Sequence, residues 1–328
     1  MLQDKILYSL EDITIVPCIN TDIKSRSECS TDVDSLVGDC WISHLPLVTA
    51  PMDFITVDNY KIFDEAGICP IIPRTVDYNT RLKLCSNVIC AFGLDELERI
   101  LNNEDICDVN ILIDIANGHM DRVFKLARLF RREFGKRCVI GGGNIGNPQT
   151  YLLYERAGFD FVRCAIGTGN GCLTSTQTGV GYPMASLIAD TYELKKSTGA
   201  KCKIVADGGM NSYSDIIKAL ALGADYVMCG KLFTQAAIGD QKIGDPVLYR
   251  GMSTKSAQKD MGGSGNKTSE GKVLNLKKQY KLEGWIDNFK SYLKSAMSYS
   301  NARNLTEFKE RAVCQVISNS ASAKANDK

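Results

Sequence analysis

The sequence predicts a (β/α)8 barrel, and three observations carry that expectation. Eight short apolar runs recur along the 328 residues, segments of helical periodicity lie between them, and most runs end in Gly, Asp or Asn. Continuous apolar runs, in place of alternating ones, are what a parallel sheet covered on both faces requires. Small and acidic residues at the C-terminal ends of the runs fall where such a barrel carries its ligand site. A doubly wound open sheet is the structural competitor. It needs a reversal of strand order that sequence does not display.

In chain order the runs are 45–52 (LPLVTAPM), 68–73 (ICPIIP), 87–93 (NVICAFG), 110–117 (NILIDIAN), 137–143 (RCVIGGG), 161–167 (FVRCAIG), 202–209 (CKIVADGG) and 226–231 (YVMCGK). Helical segments are expected between them at 95–103, 120–134, 147–158 and 213–224. The third of these opens on Asn-Pro and closes on Gly158, the usual helix punctuation. After the eighth run the pattern changes. Residues 250–272 are polar and rich in Gly, Ser and Lys, which reads as a flap that closes over a ligand. A closing helix is expected over 281–297, and the segment from Asn319, poor in hydrophobics, reads as a disordered tail over 319–328. One barrel domain over 1–318, flap included, is the expected organisation.

Composition narrows the function. With 44% hydrophobic residues the chain can bury a full core. Lys and Arg number 39 against 38 Asp and Glu, which argues against a general nucleic-acid binder but leaves room for one local phosphate pocket. Two histidines, His44 and His119, cannot make a histidine-rich metal site, and the 13 cysteines show neither a C-x-x-C pair nor zinc spacing. No apolar run is long enough for a membrane span, and the opening segment lacks that of a signal peptide. Reduced thiols in the cytoplasm are therefore expected.

The most informative stretch is AIGTGNGCLTSTQTGVGYP, residues 165–183. Glycines at 167, 169 and 171 let the backbone approach a ligand and place Cys172 at the apex of a loop beyond the sixth run. Backbone N–H groups around such a thiol would favour thiolate, making it a candidate nucleophile. Cys18, Cys90, Cys138 and Cys164 read instead as small buried hydrophobes.

The pattern G-x-G-x-x-C-x-T (Gly167, Gly169, Cys172, Thr174) resembles the catalytic loop of the IMP dehydrogenase/GMP reductase family. The resemblance runs on in the family's order through KSRSE (24–28), TAPMD (49–53), DIANGH (114–119), ADGG (206–209), VMCGK (227–231), YRGMS (249–253) and SEGK (269–272). Within the family, TGVGYP (178–183) and DIANGH are similar to the reductase branch. Dehydrogenases usually carry an inserted regulatory domain pair, for which this chain has no room. They also carry a flap Arg-Tyr pair, and residues 254–270 contain neither Arg nor Tyr.

The resemblance implies NADPH-dependent reductive deamination of GMP to IMP and ammonia. IMP dehydrogenation, or reduction of a modified guanine nucleotide, stays open. Cys172 would attack purine C2, with Thr174 and Glu270 as the proton relay. Asp207 would hold the ribose, and Gly208, Gly209 and Gly230, with Lys231 beside them, the 5′-phosphate. Tyr249 and Ser253 match further phosphate contacts, and Gly251 and Met252 would lie along the base. Lys267 takes the place of a flap arginine, with Ser269 next to Glu270. Asp114 and Arg74 would face the cofactor, while Arg26 and Ser27 would reach a neighbouring subunit's cofactor in an implied homotetramer. Carbonyls of Gly167 and Gly169 could hold a monovalent cation such as K+.

Some positions depart from the family pattern. Asn170-Gly171 stands for Ser-Val or Ser-Ile, and Pro73-Arg74 for His-Lys, where an arginine is a poor proton donor. Ser175 and Thr176 occupy places where reductases carry basic residues, and Asn301 replaces a glycine. Read locally, Asp207 could also be a helix N-cap and Glu270 a solvated flap charge. His119 shows no neighbour that would orient it as a base.

Overall fold

The computed structural model describes residues 4–33, 45–103, 106–168, 173–262 and 271–326. After β1 (Ile13–Val16), every expected apolar run supplies a strand: β2 (Leu47–Thr49), β3 (Ile71–Ile72), β4 (Ile89–Phe92), β5 (Val109–Ile113), β6 (Cys138–Ile145), β7 (Phe161–Cys164), β8 (Lys203–Asp207) and β9 (Tyr226–Cys229). They form one parallel sheet in the order β2-β9-β8-β7-β6-β5-β4-β3. Cys69, ahead of β3, closes the ring. Its N–H donates to the Leu47 carbonyl at 3.1 Å and its carbonyl accepts from the Thr49 N–H at 2.9 Å. The barrel thus has no open edge.

Helices follow the strands: α1 (Tyr60–Glu65), α2 (Tyr78–Leu84), α3 (Leu94–Leu101), α4 (Asp121–Phe134), α5 (Thr150–Ala157), α6 (Thr174–Thr178) and α7 (Met184–Thr198), α8 (Tyr213–Ala221) and α9 (Lys231–Thr234). Their apolar spacing shows why they form. In α4, Val123, Phe124, Leu126, Ala127, Phe130 and Phe134 are buried, a stripe at helical period, and the helix stops at Gly135 with φ 58°. Ser212 and Asp215 cap α8 reciprocally. Strands β4, β5, β7 and β9 are buried at every position, which is why their sequences run apolar without alternation.

Beyond the barrel lie β10 (Ala236–Ala237), β11 (Pro246–Arg250), α10 (Lys255–Asp260), β12 (Val273–Lys277), β13 (Tyr280–Lys281), α11 (Leu282–Tyr299), α12 (Leu305–Arg311), β14 (Val313–Val316) and α13 (Asn319–Asn326). The expected closing helix is α11. The flap is rooted in an antiparallel ribbon, β11 against β12, that the polar reading of 250–272 did not anticipate. One expectation is corrected: the segment read as a disordered tail from Asn319 is helical over α13. Its alanines are strong helix formers, and the Ser322 hydroxyl donates to the Glu11 carbonyl at 2.8 Å. Nearby, β1 pairs antiparallel with β14, joining the two ends of the chain. Asn301, in place of the family's glycine, has φ 52°, a left-handed conformation that asparagine tolerates.

Candidate active site

The C-terminal ends of the strands open into a cavity of about 900 Å3. The loop after β2 gives it Met52, β8 ends in it with Asp207, Gly208 and Gly209, and β9 leads into it with Gly230 and Lys231. Gly167 and Thr174 enter from the segment after β7, and Arg74 and Asp114 from those after β3 and β5. Tyr249, Gly251, Met252 and Ser253 cover it from the flap base. The structure therefore brings together thirteen positions singled out in the sequence. Arg26 and Ser27 do not line this cavity; they sit exposed in a short 3-10 turn, Arg26–Glu28. Gly169, Cys172, Lys267, Ser269 and Glu270 lie outside the described residues.

Two glycines are required by geometry. Gly208 and Gly209 have φ of 97° and 80°, and a Cβ on Gly209 would stand 3.0 Å from the Thr168 carbonyl oxygen. This turns two backbone units toward the cavity directly after Asp207. Gly209→Ala is expected to lower unfolding free energy by about 1–2 kcal/mol, the cost of a left-handed non-glycine residue, read as a lower urea midpoint. Asp207 caps no helix, since α8 begins later and uses Ser212.

Charge is concentrated around Asp207. Its Oδ2 accepts from the Asn144 side-chain amide at 3.1 Å and lies 3.7 Å from the Arg163 guanidinium. Arg163 donates to Asp114 Oδ1 at 2.7 Å, with its side chain only 5% exposed. Burial pushes the Asp207 carboxyl above the ordinary range, while Arg163 and Asn144 pull the other way. Arg74 lies 3.5 Å from Glu96 and donates to the Asp114 carbonyl at 3.4 Å.

His119 lines the cavity with both ring nitrogens engaged. Gly146 N–H donates to Nε2 at 3.0 Å, and Nδ1 meets the Thr150 hydroxyl at 2.9 Å. Neighbours do orient this ring, contrary to the sequence reading, but they leave it no free nitrogen. Nε2 as acceptor assigns the proton to Nδ1, and burial lowers the pKa, so the ring braces the loop after β6 as a neutral group.

Arg163 and Asn144 escaped the sequence reading, although Arg163 is the lone charge inside an apolar run. Another missed residue is Arg250. It pairs with Asp53 at 2.5 Å and Asp260 at 2.6 Å, tying the flap base to the loop after β2.

A profile of the IMP dehydrogenase / GMP reductase domain matches residues 72–327. The chain belongs to this family. It is 30% identical to a GMP reductase of Streptococcus suis over 94% of this chain and 95% of that protein. A GMP reductase of Streptococcus equi subsp. equi is 32% identical over 93% and 94%, and one of Streptococcus pneumoniae 29% identical over 94% of each. Membership of the IMP dehydrogenase/GMP reductase family makes the protein an oxidoreductase of a family that acts on purine nucleotides, with its cavity at the strand ends. Among the described residues no helix is long and apolar enough to cross a membrane, and no cluster of His, Cys, Asp or Glu is placed to hold a metal.

Proposed function

We propose that the protein is a GMP reductase, converting GMP and NADPH to IMP, ammonia and NADP+. The observation that carries this reading is end-to-end correspondence with proteins named GMP reductase, in a chain whose flap lacks the Arg-Tyr pair. The corner Asp207–Gly208–Gly209 supports a nucleotide at the β8–β9 side of the cavity. A carboxylate there can accept from two ribose hydroxyls, and the N–H groups of Gly208, Gly209 and Gly230 can meet the phosphate, with Lys231, Tyr249 and Ser253 beside them. Gly251 and Met252 face the base, and Lys267 and Ser269 complete the flap's contacts.

The Cys172 thiolate adds to C2 of the purine. Glu270 and Thr174 deliver a proton to the departing amine, and loss of ammonia leaves a thioimidate. Transfer of hydride to C2 breaks the C–S bond, giving IMP and regenerating the thiolate; the net reaction takes up two protons and releases ammonium. The cavity, about 900 Å3, is near the upper end of the roughly 300–1,000 Å3 of small-molecule sites and has room for a second ring beside the nucleotide. Asp114 and Arg74 would hold the nicotinamide side, with Arg26 and Ser27 serving a neighbouring subunit in a cytoplasmic homotetramer. Bound NADPH supplies the hydride. A monovalent cation such as K+ would take the carbonyls of Gly167 and Gly169, and the Gly167 carbonyl also accepts from the Ser175 hydroxyl at 3.0 Å.

Purified protein given GMP and NADPH should yield IMP and ammonia in equal amounts as NADPH is consumed. Given IMP and NAD, it should show at most a burst of NADH without sustained XMP, because no flap pair activates water. Steady XMP production would move it to the dehydrogenase branch. Arg74, fixed against Glu96 and Asp114 where the family has His-Lys, favours one further reading. If GMP reacts poorly, a base-modified guanine nucleotide should restore Cys172-dependent NADPH oxidation.

A further inference from the structure

Arg163 occupies an unusual position for a charged side chain. It lies on β7, inside the barrel wall, and faces two carboxylates from opposite flanks: Asp114 after β5 at 2.7 Å and Asp207 at the end of β8 at 3.7 Å. The three side chains are 5%, 15% and 16% exposed, so water screens them poorly. The Arg163 Nε is buried without a hydrogen-bond partner among the described residues. Among the described residues the guanidinium is therefore anchored by one short bond and one long contact.

We propose that Arg163 is a positioning residue that shares one positive charge between Asp114 and Asp207, and so couples ligand binding at the two ends of the cavity. The proposal rests on the reading that Asp207 takes the nucleotide ribose and Asp114 faces the nicotinamide side. One guanidinium cannot neutralise two carboxylates. A hydroxyl that donates to Asp207 stabilises its charged form. A donor reaching Asp114 stabilises that charge instead, weakens its hold on Arg163 and frees the guanidinium for Asp207. Each ligand then favours the other, and by linkage the effect is reciprocal.

Among the described residues, the other groups facing Asp207 leave this balance to the pair. Asn144 on β6 donates a neutral hydrogen bond. The thiols of Cys164 on β7 and Cys229 on β9 are held protonated by burial. Asp114 raises the proton affinity of Asp207, and Arg163 lowers it.

The test begins with ligand-free protein labelled with 13C at the aspartate carboxyls, the Asp207 resonance being assigned by its loss in Asp207→Asn. Asp114→Asn keeps the acceptor for Arg163 and removes only charge. It should lower the Asp207 titration midpoint by about one unit, a tenfold change in proton affinity. Arg163→Lys, a charge without the fork, should raise that midpoint. GMP titrated calorimetrically into Asp114→Asn should then bind tighter than to wild type below the wild-type midpoint, approaching about tenfold once pH is well below the variant's own midpoint, and equally well above both. A merely structural Arg163 would leave the midpoint where it is, and an unmoved midpoint in both variants overturns the proposal. So does a shifted midpoint with unchanged GMP affinity across pH. If wild type binds no GMP while the midpoints shift as stated, the charge sharing stands and the nucleotide assignment falls.

Discussion

Cys172→Ala is expected to reduce GMP-dependent NADPH oxidation by about 10^4-fold or more, while GMP affinity stays within about threefold, because the role proposed for the thiol is in bond-making and not in ground-state binding. Most of the described cysteines give a contrast. Burial pushes the thiols of Cys85 and Cys314 up to about 11 and that of Cys164 to about 12, and raises those of Cys69, Cys138, Cys202 and Cys229 as well. A thiol that stays protonated is a poor nucleophile. Iodoacetamide should therefore inactivate through Cys172, with exposed Cys107 and half-buried Cys18 among the background labels, and GMP should protect against inactivation. A substantial residual rate in Cys172→Ala would show that no covalent thioimidate is needed.

The barrel was legible because its strands are covered on both faces: runs such as 87–93 and 226–231 are apolar for the same reason that β4 and β9 are fully buried. The β11–β12 ribbon was less so. Alternate residues of it are exposed, and its sequence merges into a polar flap, so neither period dominates. At the site, glycine and acidic punctuation marked Asp207, Gly208 and Gly209, since the chain must turn there with φ above zero. Arg163 and Asn144 were hidden because their roles depend on neighbours one or two strands away. A charge in FVRCAIG was visible, but its partners Asp114 and Asp207 are 49 and 44 positions distant in sequence. The helical end of the chain was missed for a related reason. Composition weighs apolar content, whereas α13 rests on alanine propensity and a backbone contact to Glu11.

The largest expected effect on stability falls outside the cavity, at Asp225. This carboxylate precedes β9 and meets Lys195 of α7 at 2.6 Å and Lys309 of α12 at 2.7 Å, while accepting the Ile204 N–H at 2.7 Å. It ties a helix from the end of the chain to the barrel. Burial alone would raise its pKa, but Lys309 and Lys195 more than reverse this and bring it from 3.8 down to about 2. Asp225→Asn removes the charge and leaves two largely buried ammonium groups facing each other, which should cost about 3–5 kcal/mol in urea unfolding at neutral pH. A folded pKa below the unfolded one means that the carboxylate stabilises above pH 3.8 and loses that contribution as pH falls toward about 2. The gap in stability between wild type and Asp225→Asn should therefore be full at neutral pH and narrow over that acid window. Neutralising all three side chains together, as Asp225→Asn with Lys195→Met and Lys309→Met, should recover most of the loss, since the penalty comes from uncompensated buried charge. If the single variant unfolds at the wild-type urea midpoint at pH 7, or the triple variant is weaker than the single, the ion cluster does not hold α12 to the barrel.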